Sequence, residues 1–397
     1  MTPPQGEVGR QTVLALGVSQ LVGWGVTYYL IGALGPRMVA DLGWSATVVH
    51  GGFSAALVTM GLVSPWVGRM IDRHGGRPVM AAGSCLSALG CVALALAAGP
   101  VLYYAAWIAL GVAMRMTLYD AAFAALARLG GRGARRSISQ ITLLGGLAST
   151  VFWPIGHFLA EAFGWRGAAF AYAGFALATL PLHLAIRPGR APAEARPAVA
   201  APGDPAPSDR VPAFLYALIV TLTAFLASAM SAHMIGILAG LGMGATLAVW
   251  VSALRGIGQS AARLAEVLFG GRMHVLTLAV VATGLLPLGF AAGALGGEFA
   301  AAAVAFAIVY GSGNGLATIV RGALPLVLFD PARYGALAGR LVAPSFLLAA
   351  AAPVIYAAVI ERAGSAAALY LSCALGILLA GAAWELRRRY LPAAADR

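Results

Sequence analysis

Apolar residues in this chain seldom alternate with polar ones. They run in long stretches, and polar residues collect in short connectors between them. Twelve such stretches lie near residues 11–36, 45–68, 79–99, 101–127, 138–161, 166–186, 212–240, 245–269, 274–295, 299–328, 336–360 and 365–386. Each is about the 20 residues that a helix needs to cross a bilayer core. Barrel strands would alternate and be about half as long, so helix is the spanning structure these runs predict. Residues 187–211, between the sixth and seventh stretches, are Pro-rich and of mixed charge. They read as a cytoplasmic linker that separates an N-terminal half, 1–186, from a C-terminal half, 212–397.

Composition agrees. Of the 397 residues, 60% are apolar and 10% charged, against roughly 25% charged in a soluble domain. Lipid is therefore the expected solvent for much of the surface. The net charge of +12 would suggest nucleic acid in a soluble protein, but its distribution has another meaning. With a cytoplasmic N-terminus, 20 arginines fall on or near the cytoplasmic side, and only Arg37, Arg166 and Arg362 fall outside. The positive-inside rule then places both termini and the linker in the cytoplasm. Residues 1–10 are polar and show no cleavable signal peptide. Cys85, Cys91 and Cys373 lie within apolar stretches without metal or redox spacing, and read as small buried hydrophobes.

The two halves resemble each other. Pro154 to Gly164 around the end of the fifth stretch matches Pro353 to Gly364 around the end of the eleventh, at an offset of 199 to 200. The same offset maps Leu42-Gly43 and Ala46-Thr47 onto Leu241-Gly242 and Ala245-Thr246, and Gly111 onto Gly311. A duplicated unit follows. The predicted fold is an all-α membrane protein with twelve transmembrane helices in two pseudo-symmetric six-helix bundles, a transporter design.

After the second stretch the chain reads Gly68-Arg-Met-Ile-Asp72-Arg73-His-Gly75-Gly-Arg77. This resembles the loop motif Gly-x-x-x-Asp-Arg/Lys-x-Gly-x-Arg of the major facilitator superfamily, and it sits where that family carries it. Gly68 would permit close helix packing, Gly75 and Gly76 a tight turn, and Asp72 can face a helix N-terminus. The resemblance implies alternating access. Gly68, Asp72, Arg73, Gly75 and Arg77 would then act in gating, meeting the helix that starts near Gly335. It also implies a monomeric secondary transporter of the bacterial inner membrane that needs no cofactor. A degraded copy, Arg263 to Glu266 followed by Gly270-Gly271-Arg272, stands in the second half.

Charges at bilayer depth are costly, so each is a candidate functional residue. Counting ~1.5 Å per residue puts Arg115 and Arg255 near the midplane, with Asp120 and Arg321 nearer the cytoplasm. The resemblance implies that helices one, four, seven and ten line a central cavity. Two deep arginines suit an anionic substrate, because guanidinium captures a carboxylate or phosphate bidentately. Arg255 also lies on the helix where the monocarboxylate and oxalate/formate branches keep an arginine. Their accompanying Asp is Val251 here, and their Lys in helix eleven has no counterpart at depth. The alternative is that Arg115 pairs with Asp120 or with carbonyls and is structural.

Gln20, Trp24, Thr27 and Tyr28 follow i, i+4, i+7, i+8 spacing and are expected to share one face. With Tyr119, Gln259 and Asn314 they are companions for a ligand, the tyrosine and tryptophan foremost; interhelical hydrogen bonding is the plainer reading. Met230 and Met234 on helix seven resemble the Met pair of copper importers in the superfamily, although packing is the usual use of such a pair. His233 and Asp120 are candidates for proton coupling. No metal-ligand cluster, nucleophile motif or phosphate loop is present in the sequence, so an enzyme is not expected. The expected function is secondary transport of a small solute, with an organic anion foremost. A copper importer, a drug or metabolite efflux pump and a non-transporting membrane sensor are the alternatives.

Overall fold

A computed structural model of the protein describes residues 8–130, 134–186, 210–269, 273–297, 299–328 and 334–391. The chain divides into two compact units, Met1–Ala195 and Arg196–Arg397. Most of the Pro-rich segment 187–211 lies outside the described residues. So do Gly270, Gly271, Arg272 and several of the arginines that set the predicted topology, among them Arg132, Arg187 and Arg333.

Every regular element among the described residues is helical. In the first unit, α1 (Arg10–Gly23), a π-helical turn (Trp24–Tyr28) and α2 (Leu30–Leu42) make the first leg. Next come α3 (Ala46–His74), α4 (Gly76–Ala95), and a fourth leg built from α5 (Pro100–Thr117) and α6 (Tyr119–Gly130). After α7 (Ala134–Gly146), α8 (Ala148–Leu184) turns sharply at Gly164 (φ 69, ψ 170) and so supplies two legs. The second unit contains α9 (Arg210–Gly240), α10 (Ala245–Phe269), α11 (Val275–Ala294), α12 (Ala300–Leu328) and α13 (Tyr334–Tyr390), which turns at Gly364 (φ 82, ψ 172). Nine continuous stretches among the described residues are long and apolar enough to cross a membrane. Two of the nine contain the turns at Gly164 and Gly364; α10, with Arg255, Arg263 and Glu266, is not among them. This is a multi-pass membrane protein.

The same pairings recur inside each unit. In the first, α5 packs on α3 and α4, and α4 packs on α8. In the second, α12 packs on α10 and α11, and α11 packs on α13. Glycines make the closest approaches. A Cβ at Gly111 would strike the backbone of Ala56, and one at Gly311 would strike the backbone of Arg255. Those two contacts are repeat-equivalent. Leu16, Val67, Ile71, Met80, Met116 and Ala125 lie in the first unit's core; Tyr216, Ile219, Leu276, Val320, Leu324 and Leu386 lie in the second's. Large apolar side chains such as Leu62, Val101, Phe163 and Leu288 stay exposed, as a lipid-facing surface requires.

Helix ends follow local chemistry. Ser45 caps α3 by accepting from the Val48 amide at 3.3 Å. Gly43, left-handed at φ 67, closes α2. On the side predicted to lie outside, Arg166 pairs with Asp41 and donates to the Ala97 carbonyl at 3.1 Å. Arg37 lies 3.7 Å from Glu161 and donates to the His157 carbonyl at 2.8 Å.

Candidate functional site

In the first unit a π turn interrupts the expected stripe on helix one. The Tyr29 amide donates to the Trp24 carbonyl at 2.9 Å, an i→i+5 bond that inserts a π turn and rotates the residues beyond it. Thr27 is buried and spends its hydroxyl proton on the Gly23 carbonyl at 2.6 Å. Gln20 is buried and donates to the Thr117 carbonyl at 2.8 Å. Trp24 and Tyr28 remain together with ring centroids 4.9 Å apart, and Tyr119 reaches Trp24 at 5.0 Å. The indole Nε1 of Trp24 is buried with no hydrogen-bond partner.

The fourth span, Pro100–Leu126, is present but is not one continuous helix. Its backbone is extended at Leu118 (φ −78, ψ −171), between α5 and α6. Arg115 thereby falls in the last turn of α5 and Asp120 in the first turn of α6, each at the helix end its charge favours. Arg115 turns to α3, where Nε donates to Ser64 Oγ at 2.7 Å, rather than to Asp120. Its Nη1 is buried and has no partner. Asp120 is exposed.

The segment from Gly68 to Arg77 differs from expectation in its local structure. It is not a loop: α3 continues through His74 and α4 starts at Gly76, so Gly75 alone (φ 83, ψ 167) makes the turn. Gly76 is helical instead and packs so closely on Ala125 that a Cβ would collide with it. Among the described residues, a Cβ at Gly68 would meet nothing within 4 Å. Asp72 lies in α3; its side chain is outside the described residues. Arg73 and Arg77 are exposed.

In the second unit Arg255 is 1% exposed. It donates to Ser231 Oγ of α9 at 3.1 Å and sits over the Tyr310 ring of α12 at 5.2 Å. Gln259, one turn further, is buried and its Oε1 has no partner. Arg263 is buried too, donating to Thr318 Oγ1 at 3.0 Å and to the Gly315 carbonyl at 3.4 Å. It therefore braces α10 against α12. A cavity of about 90 Å³ opens between α9 and α12, and Thr223, Asn314, Thr318 and Arg321 supply its polar wall. His233 Nε2 bonds the Pro353 carbonyl at 2.7 Å, and its ring stacks on Tyr356. Met230 and Met234 are fully buried in α9.

Two features escaped the sequence reading. One is the α5/α6 break, whose signal is a basic residue followed within five positions by an acidic one inside an apolar run. The other is a buried cluster of His183, Ser84 and Thr179 beside a cavity of about 10 Å³ in the first unit. Among the described residues no three His, Cys, Asp or Glu side chains gather as a metal site.

Known proteins share this architecture. The solved nucleoside transporter NupG aligns with a TM-score of 0.72 at 14% identity, over 95% of this chain and 98% of that one. A point mutant of NupG reaches 0.75 at 14% identity, over 94% of this chain and 98% of that one. The human organic anion transporter MFSD10 (TETRAN) aligns at 0.66 with 17% identity, over 96% of this chain and 100% of that one. At such identities the likeness concerns the fold. In sequence, 73 residues are 38% identical to the multidrug resistance protein MdtL of Shigella flexneri serotype 5b (strain 8401), a match spanning 18% of each chain. A sequence model described as Major Facilitator Superfamily matches residues 16–265. The chain belongs to the Major Facilitator Superfamily.

Proposed function

We propose that this protein is a secondary active transporter for a small organic anion, working by alternating access in a bacterial inner membrane with both termini cytoplasmic. No enzymatic step is part of this reading, and a monomer suffices for it. The carrying observation is Arg115, whose Nη1 is a buried donor with no acceptor. Leaving such a group unmet costs about 1–3 kcal/mol, and a carboxylate would meet it. Arg255, buried deep in α10, and the wall of Asn314 and Arg321 support the same chemistry in the second unit. Trp24, Tyr28, Tyr119 and Gln259 are the proposed companions, and Gly68 to Arg77 the proposed gating segment. A second reading, efflux of a drug-like solute, is favoured by the stretch similar to MdtL.

The test is ligand-induced thermal stabilisation of purified protein with a panel of small carboxylates, phosphates, lipophilic cations and Cu(I), repeated with Arg115→Gln and Arg255→Ala. A carboxylate should stabilise the wild type, and each variant should bind it on the order of tenfold to a hundredfold more weakly, the worth of a charge-assisted hydrogen bond. Stabilisation only by lipophilic cations, equal in the variants, would replace the anion reading with drug efflux. Stabilisation only by Cu(I) would assign Met230 and Met234 instead.

A further inference from the structure

The three 2.7 Å contacts of the cluster at His183 are all satisfied by one arrangement of protons, which leaves unused only the longer approach of Ser84 Oγ to the Met80 carbonyl at 3.3 Å. His183 is 1% exposed and is the last residue but one of α8, which ends at Leu184. Its Nδ1 is 2.7 Å from Ser84 Oγ, which is also 2.7 Å from Thr179 Oγ1. Thr179 gives its own proton to the Ala176 carbonyl at 2.7 Å. Thr179 Oγ1 must then accept, so Ser84 gives its proton to Thr179. Ser84 Oγ must accept in turn, so Nδ1 of His183 carries the hydrogen. Neutral imidazole has one N–H. Nε2 is therefore a bare lone pair, and it is buried without a hydrogen-bond partner.

His183 lines the cavity of about 10 Å³, room for about one water. The remaining polar wall offers acceptors. Ser19 has donated to the Leu16 carbonyl at 2.9 Å and Thr117 to the Ala113 carbonyl at 2.8 Å, so each turns only oxygen lone pairs to the cavity. Ser87 completes the wall from α4. A space surrounded by lone pairs favours an occupant rich in protons. Water brings two, and a further proton has a nitrogen base waiting.

We propose that this cavity holds a water molecule that donates to His183 Nε2, and that the pair is a proton-binding site inside the first unit. The step is a simple transfer: a proton from the water adds to Nε2, giving imidazolium, and the water regains a proton from bulk solvent. No other described residue lining the cavity titrates. Of the neighbouring groups, the Cys91 thiol on α4 donates to the Val26 carbonyl, and Arg115 on α5 is turned to Ser64 on α3. The site is separate from the arginines assigned to the anion and does not depend on that reading. It also differs from Asp120, which is exposed, and from His233, whose Nε2 is engaged at Pro353.

The experiment is nitrogen NMR of purified, histidine-labelled protein without substrate, with the His183 signal assigned by its loss in His183→Gln. The expected result is an Nδ1–H ring with a bare Nε2 that exchanges magnetisation with water and becomes doubly protonated as pH falls. Ser87→Val, which fills the cavity and leaves the ring and its Ser84 contact in place, should abolish the water contact and shift the titration by more than tenfold in proton concentration. A ring protonated at Nε2 at neutral pH, or one that stays neutral until the protein unfolds, would overturn the proposal. So would a signal that responds to sodium at fixed pH and not to pH, which would make the site a metal-cation site.

Discussion

Arg255 is where a structural and a functional role separate most clearly. Its contacts include a serine hydroxyl and a tyrosine ring at the core of the second unit. Replacing a buried ion pair by apolar side chains of similar volume is often neutral or stabilising by about 1–4 kcal/mol, because burying charge costs desolvation. A guanidinium set against a hydroxyl and a ring carries that cost too. Arg255→Met keeps the length of the stem and removes the charge. If the guanidinium serves the anion, the melting temperature in detergent should hold or rise while carboxylate stabilisation disappears. A variant that melts far lower yet binds the carboxylate unchanged would make Arg255 a brace, as Arg263 is against Thr318. Both deep arginines were legible in the sequence because a charge inside an apolar run stands out. Their partners were not. Ser64 is 51 residues from Arg115 and Ser231 is 24 from Arg255, and helical periodicity says nothing about which distant hydroxyl a long side chain will reach. Polar residues that satisfy one another locally, such as Ser84 and His183, give no sequence signal of their own.

At the scale of the helices, the all-helical, membrane-spanning character followed from apolar run length, whereas breaks inside a leg did not. The π turn at Trp24 and the extended residue at Leu118 arise from tertiary contacts and backbone geometry that no run of hydrophobic residues reports. Three glycines do carry a readable demand. Gly75, Gly164 and Gly364 all adopt φ near +70 to +80 with ψ near 170, a region nearly reserved for glycine. A Cβ at Gly164 or Gly364 would meet nothing within 4 Å, so a substitution there tests backbone strain alone. Gly164→Ala and Gly364→Ala should each cost about 1–3 kcal/mol. Gly43, with ψ 18, lies in the ordinary left-handed region, and Gly43→Ala should cost only about 1 kcal/mol. Thermal unfolding of the three variants checks the order. Equal losses at all three positions would mean that ψ does not matter and that the turns are relaxed.

Across the whole molecule, the duplication was visible where backbone geometry constrains the residue type and invisible where packing can be satisfied in more than one way. Gly164 and Gly364 keep their identity and their φ and ψ in both units. One position along the same helices does not. In the first unit Gly156 faces Tyr172, whose hydroxyl donates to the Phe152 carbonyl at 2.8 Å. At the matching positions of the second unit, Tyr356 faces Ser372, and their hydroxyl oxygens lie 2.6 Å apart. The bulky partner has changed sides, and the polar contact survives. Sequence comparison sees two mismatches there; the structure sees one filled space. Gly156→Tyr alone should be severely destabilising, because the new side chain enters the volume of the Tyr172 hydroxyl. Tyr172→Ser alone should also destabilise, by opening a cavity and leaving the Phe152 carbonyl without its donor. The double variant rebuilds in the first unit the arrangement of the second, so it should recover most of the loss, with a coupling of about 1–3 kcal/mol between the sites. Melting temperatures of the four proteins in detergent measure that coupling directly. Additive losses would show that the two units fill this space by different means, and that their likeness stops at the backbone.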